Sequence, residues 1–139
     1  MSYNVRNDMK KVFLGGTCND SSWRTFFESN LKINFFNPVV EDWTEECMAE
    51  ERLQREDCDY CLYTITPKMA GVFSIAEVIQ DSNKRPEKTV FCLIAADGDE
   101  VFSDSQWKSL NQVGQMVKRN GGKFFTNLKQ ALEYLNGGY

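Results

Sequence analysis

With 139 residues, 42% of them hydrophobic and 26% charged, the chain reads as a single domain spanning 1–139, large enough for a core with layers on both sides of a sheet. Sixteen basic against twenty acidic residues give a net charge of −4, and without a dense basic patch this excludes broad electrostatic binding of polymeric nucleic acid. No apolar run reaches the roughly 20 residues of a membrane span, and MSYNVRNDMKK holds no secretory apolar stretch, so no membrane partner and a cytoplasmic location are expected.

The first predicted strand is KKVFLGG, Lys10 to Gly16, ended by two glycines. In the following TCNDSSWRTFFESNLK, Ser21 or Ser22 can cap a helix that carries Trp23, Phe26, Phe27 and Leu31 at helical spacing. INFFNPVV, Ile33 to Val40, is the second strand, with Pro38 marking an edge or its end. The charged stretch Glu41 to Asp57 predicts a helix with Glu51 and Arg55 at the favourable i,i+4 offset, its charges forming mostly a solvated face.

DYCLYTITP, Asp59 to Pro67, is the third strand, KMAGVF a loop, and SIAEVIQDSNKR a third helix starting at Ser74. KTVFCLIA, Lys88 to Ala95, is apolar throughout and predicts a strand buried on both faces. An acidic loop, ADGDEVFSD, leads to a helix from about Ser105 to Asn120, closed by Gly121 and Gly122. KFFTN is a short last strand and LKQALEYLN a last amphipathic helix. This alternation predicts an α/β fold: a Rossmann-like or flavodoxin-like three-layer sandwich with a five-stranded parallel sheet in the order 2-1-3-4-5. Ligands of such sheets lie at the carboxyl ends of the strands where the order reverses. Gly15, Gly16 and Thr17 are then expected to share a crevice with the loop from Pro67 to Ser74, and Glu77 to point into it.

No cofactor is expected. The chain lacks GxGxxG and GxxxxGK[ST], the usual dinucleotide and triphosphate fingerprints. Of the five cysteines, Cys58 and Cys61 have CxxC spacing but run into an apolar strand, and with no histidine in the chain they read as structural thiols, not a metal or redox site. The missing histidine also leaves acid–base chemistry to carboxylates. Ser74 and Glu77 have the spacing of a capping box, in which both side chains satisfy the first helical N–H groups. The same spacing puts a carboxylate in the first turn of a helix facing the crevice. Arg24 can expose its guanidinium or reach a phosphate or carboxylate near the first loop. Asp57 and Asp59 read as turn residues, and Tyr63 and Thr66 as either core or ligand-facing.

The segments VFLGGT, SSWR, NPVVEDW, DYCLYTITPKMAGVFSIAEV and KTVFCLI, within residues 11 to 94, resemble the nucleoside 2-deoxyribosyltransferase family, in particular its shorter deoxyribosyltransferase-like branch. The resemblance implies that Glu77 is a nucleophile attacking C1′ of a nucleoside or nucleotide in a double displacement, with water or a second base completing the reaction. It also implies that the helix N-terminus lowers the pKa of Glu77 and keeps it charged. Gly15, Gly16 and Thr17 would surround the sugar or its 5′ substituent, Arg24 a 5′-phosphate, and Ser74 would brace the first turn. Glu51 matches a second family carboxylate, and Gly71 stands where the longer branch carries an aspartate. A homo-oligomer is implied as well. A catalytically inactive nucleotide-binding module of the same fold is the alternative, and a flavin-binding electron carrier ranks behind both, for want of a Ser/Thr-rich phosphate loop.

Overall fold

Residues that alternate between two apolar faces dictate the architecture. The computed structural model describes residues 1–4, 9–18 and 20–138. Its elements are β1 (Ser2–Tyr3), β2 (Lys11–Gly16), α1 (Trp23–Asn30), β3 (Asn34–Asn37), α2 (Glu45–Asp57), β4 (Tyr60–Ile65), α3 (Phe73–Lys84), a 3-10 turn (Pro86–Lys88), β5 (Thr89–Leu93), β6 (Ala96–Asp97), β7 (Glu100–Val101), α4 (Asp104–Arg119), β8 (Lys123–Phe125) and α5 (Leu128–Leu135).

Along β2, β4 and β5 successive side chains enter opposite cores, as the two-residue period of a strand requires. Val12, Leu14, Leu62, Val90 and Cys92 pack with Trp23 and Phe27 of α1 and Ala131 and Leu135 of α5. Phe13, Cys61, Tyr63, Ile65, Phe91 and Leu93 pack with Val78 of α3 and Val117 of α4. Helices therefore cover both faces, and every residue of β5 is buried.

The sheet is mixed and has six strands in the order β1-β3-β2-β4-β5-β8. This corrects the expected five-stranded, all-parallel sheet at one edge, where β1 pairs antiparallel with β3. Two exposed residues, Ser2 and Tyr3, make no apolar run that could announce such a strand. The other five strands are parallel, and β3-β2-β4-β5-β8 runs second, first, third, fourth, fifth in chain order. The architecture is α/β and compatible with a Rossmann-like fold. The acidic loop after β5 also contains a small hairpin, β6 with β7, that turns at Gly98 with φ +60°. Among the described residues no helix is long and apolar enough to cross a membrane.

The order reverses between β2 and β4, so the exits of these two strands bound the crevice. Gly16 ends β2 with φ +117°, a conformation that side chains disfavour. A Cβ there would lie 2.1 Å from the Thr64 carbonyl oxygen of β4. Gly16→Ala is therefore expected to destabilise the fold by more than about 2 kcal/mol, from strain and clash together. Urea unfolding reads this directly, and a midpoint equal to that of the wild type would contradict it.

Candidate functional site

The floor of the crevice is built by the exit of β2 and tied to α1. The Arg24 guanidinium, 8% exposed, donates from Nε to the Leu14 carbonyl at 3.0 Å, from Nη1 to that of Thr17 at 2.6 Å and from Nη2 to that of Gly16 at 3.1 Å. Trp23 Nε1 also donates to the Thr17 carbonyl, and its ring lies 4.3 Å from the Arg24 guanidinium carbon. Burial lowers Arg24 to about 10, which leaves it charged at neutral pH. Thr17 in turn joins the two strand exits: its N–H donates to Thr64 O, and its Oγ1 accepts from the Thr66 N–H.

The loop after β4 leads into α3, which starts one residue earlier than expected. Val72 is its N-cap, Phe73 its first residue, and no side chain caps it. The capping box expected from Ser74 and Glu77 does not form, because Ser74 already lies inside the helix. The only spacing of that kind realised among the described helices is Ser103 with Gln106, at the start of α4. Ser22 likewise precedes α1 without a side-chain cap bond, while Ser21 Oγ donates to Asp97 Oδ2 at 2.6 Å.

Released from capping, Glu77 turns inward and is 6% exposed. Its Oε2 lies 3.3 Å from Arg55 Nη1, and its carboxyl is hydrogen-bonded to that of Glu51. Burial pushes Glu77 up to about 8, with the Glu51 hydrogen bond and charge adding to the rise and Arg55 opposing it. The expectation that a helix N-terminus would lower its pKa is thereby overturned. Desolvation and a second acid at contact outweigh the partial charge of the helix end.

This sets a pH dependence of stability. A carboxyl raised from 4.5 to about 8 on folding favours the folded state fully below about pH 4.5. That contribution declines as pH rises and is lost above about pH 8. Wild-type protein is expected to lose urea stability between pH 5.5 and 8.5 relative to Glu77→Gln, measured in parallel. Equal slopes for the two proteins would contradict the pairing.

A cavity of about 220 Å³ is lined by Gly15, Gly16, Arg24, Glu51, Ser74 and Glu77, together with Cys18, Phe73 and the Pro38–Trp43 side. Thr17 and Gly71 line an adjoining cavity that shares Gly16, Cys18, Phe73 and Ser74 with the first. All eight candidate residues are thus gathered at the exits of β2 and β4. Trp43 and Phe73, 53% and 69% exposed, also line a third cavity between α2 and α3, again with Glu51 and Glu77. The carboxyl pair sits where these spaces meet, beside two exposed aromatic side chains.

Arg55 and Asp81 are the members that sequence reasoning missed. Asp81 is fully buried and accepts from Arg55, from Arg85 and from the Tyr63 hydroxyl. Two i,i+4 relations carried the signal, Glu51 with Arg55 on α2 and Glu77 with Asp81 on α3. Their convergence only becomes visible once the helices face one another. Tyr63 is core, with Asp81 holding its hydroxyl, and Asp59 braces the start of β2 by accepting from the Lys11 N–H at 2.8 Å. Cys58 and Cys61 are buried thiols, burial pushing Cys58 up to about 12 and Cys61 further.

Compared with known proteins, the chain matches no family model and no curated sequence.

Proposed function

We propose that this protein cleaves or transfers at the N-glycosidic bond of a nucleoside or nucleotide, with Glu77 as nucleophile. The observation that carries the reading is a buried carboxyl group, braced by Arg55 and set beside Glu51, on the wall of a cavity at the strand exits. A glutamate oxygen forms a bond to C1′ while the C1′–N bond breaks, its electron pair passing to the base nitrogen. The departing nitrogen gains a proton from solvent. Water or a second base then attacks C1′, Glu77 leaves as carboxylate, and the incoming nucleophile surrenders its proton. Splitting one substitution into two eases each barrier.

Gly15 and Gly16 line the cavity and belong to the proposed sugar site, while the missing Cβ of Gly15 makes room for the buried Tyr63 ring, 2.8 Å from where it would lie. Arg24 has three of its N–H groups committed to carbonyls. Its role toward a 5′-phosphate belongs to the same proposal, as do the resemblance to deoxyribosyltransferases, a flavodoxin-like classification and a homo-oligomeric state. One feature favours the second reading, a nucleotide-binding module without turnover: Glu77 held near pH 8 is less available as an anion at neutral pH.

The test is chromatography of deoxynucleosides and their 5′-monophosphates after incubation with the protein, with and without a different free base. Free base alone indicates a hydrolase, and a base-exchanged product indicates a transferase. No product from any substrate, with binding retained, would refute the enzyme and leave the binding module.

A further inference from the structure

We propose that Arg55 is a positioning residue for Glu77: it clamps the carboxyl group from α2 and fixes where the attacking oxygen lies. This inference rests on the reading of Glu77 as nucleophile.

The geometry is that of a fork with its other prongs already held. Arg55 Nη2 reaches Asp81 Oδ1 at 2.8 Å and Gln80 Oε1 at 2.9 Å, and Nε reaches Asp81 Oδ2 at 3.3 Å. A planar guanidinium anchored along one edge has no freedom left at its remaining nitrogen. That nitrogen, Nη1, lies 3.3 Å from Glu77 Oε2. Asp81 is itself immobilised by the Tyr63 hydroxyl from β4 and by Arg85 at the end of α3, at 3.0 Å from Nε and 2.9 Å from Nη2. Fixed contacts therefore run from the sheet through Asp81 and Arg55 to Glu77.

An ion pair serving only to join α2 to α3 would be complete without Glu77. Asp81 already supplies Arg55 with an opposite charge, and Gln80 supplies a further acceptor. Burying a second carboxylate against Glu51 adds desolvation and repulsion that such a joint does not require. Arg55 opposes both without cancelling them, and its contact fixes the place of one carboxyl oxygen. The groups that face Glu77 are Glu51 and Arg55 from α2, Asp81 from its own helix, and Tyr63 from β4 by way of Asp81. Arg24 and Cys18 lie across the cavity on the β2–α1 side. Of the two arginines, Arg55 touches the carboxylate, whereas Arg24 is bonded to carbonyls.

The test uses the full chain carrying Arg55→Met or Arg55→Lys. Carbon-13 NMR of labelled glutamate carboxyls, with Glu77 assigned by comparison with Glu77→Gln, gives the Glu77 titration midpoint without any need for turnover. Steady-state kinetics give kcat and KM. In Arg55→Met the midpoint is expected to rise by about one to three units as an adjacent positive charge is lost. A displaced nucleophile is expected to lower kcat by about 10²-fold, with KM within about twofold of wild type. Arg55→Lys is expected between the two, since one ammonium cannot hold Asp81, Gln80 and Glu77 together. Should Arg55→Met fail to fold, the Arg55→Lys midpoint and kcat decide by the same signs. An active wild type whose folded Arg55 variants keep its midpoint and kcat, even with lowered thermal stability, overturns this proposal alone. A wild type without turnover overturns the nucleophile reading, and the proposal with it.

Discussion

Glu77→Gln is expected to abolish turnover while leaving the protein folded, with kcat down by at least about 10³-fold. The substitution is unusually selective here. A glutamine carbonyl oxygen can accept from Arg55 Nη1, and its amide can donate to Glu51, so both contacts of the native side chain survive. What disappears is the ability of that oxygen to form a stable ester-like bond to C1′. Circular dichroism and urea unfolding establish that the fold is intact, and product chromatography reads the chemistry. Undiminished turnover in the folded variant would remove Glu77 from the reaction.

The second large effect is on stability. Asp81→Ala is expected to cost about 3–5 kcal/mol, because removing one partner of a buried ion pair strands the other charges. Asp81 has no exposed surface and accepts from Arg55, Arg85 and Tyr63 together. Its loss leaves two guanidinium groups without their common acceptor and a buried hydroxyl with no base to donate to. Burial, followed by the charge of Asp81, holds the Tyr63 phenol well above its ordinary value, so that hydroxyl remains a donor and cannot convert itself into a substitute anion. Calorimetry is expected to show Tm lowered by about 10 °C or more. A double-mutant cycle with Tyr63→Phe separates the shared part, since removing the hydroxyl is expected to cost less once Asp81 is gone. A Tm within two or three degrees of wild type would show that the cluster contributes little.

The difference between what could and could not be read in the sequence follows physical lines. VFL, YCLYTI and TVFCL declare strands because burial on both faces demands an unbroken apolar run, and these became β2, β4 and β5. Their alternation with helices carried the parallel order as well. Ser2–Tyr3 could not be seen, because a two-residue edge strand is defined by its partner β3 and not by its own composition. The Ser-x-x-Glu spacing at Ser74 misled for a related reason. A cap requires the serine to lie just outside the helix, and the chain enters α3 one residue sooner, at the exposed Phe73. The meeting of Gly15 and Gly16 with Ser74 and Glu77 around one cavity follows from the strand order, which sets the exits of β2 and β4 side by side. Arg55 was hidden in plain view. In EERLQRED a charge at i,i+4 from Glu51 looks like a solvated pair, and only the packing of α2 on α3 buries Arg55 against Glu77 and Asp81.

The arginine that holds the carbonyls of Leu14, Gly16 and Thr17 has a consequence for selectivity. A binding loop that must settle around its ligand gives up entropy on each encounter, about 0.5–1.5 kcal/mol for every mobile side chain it fixes. Here the turn after β2 is stapled from behind by a helix residue, so the entropy was surrendered once, when the chain folded. That part of the crevice behaves as a mould, not a glove. A ligand of the proposed kind would be selected there by the shape it brings.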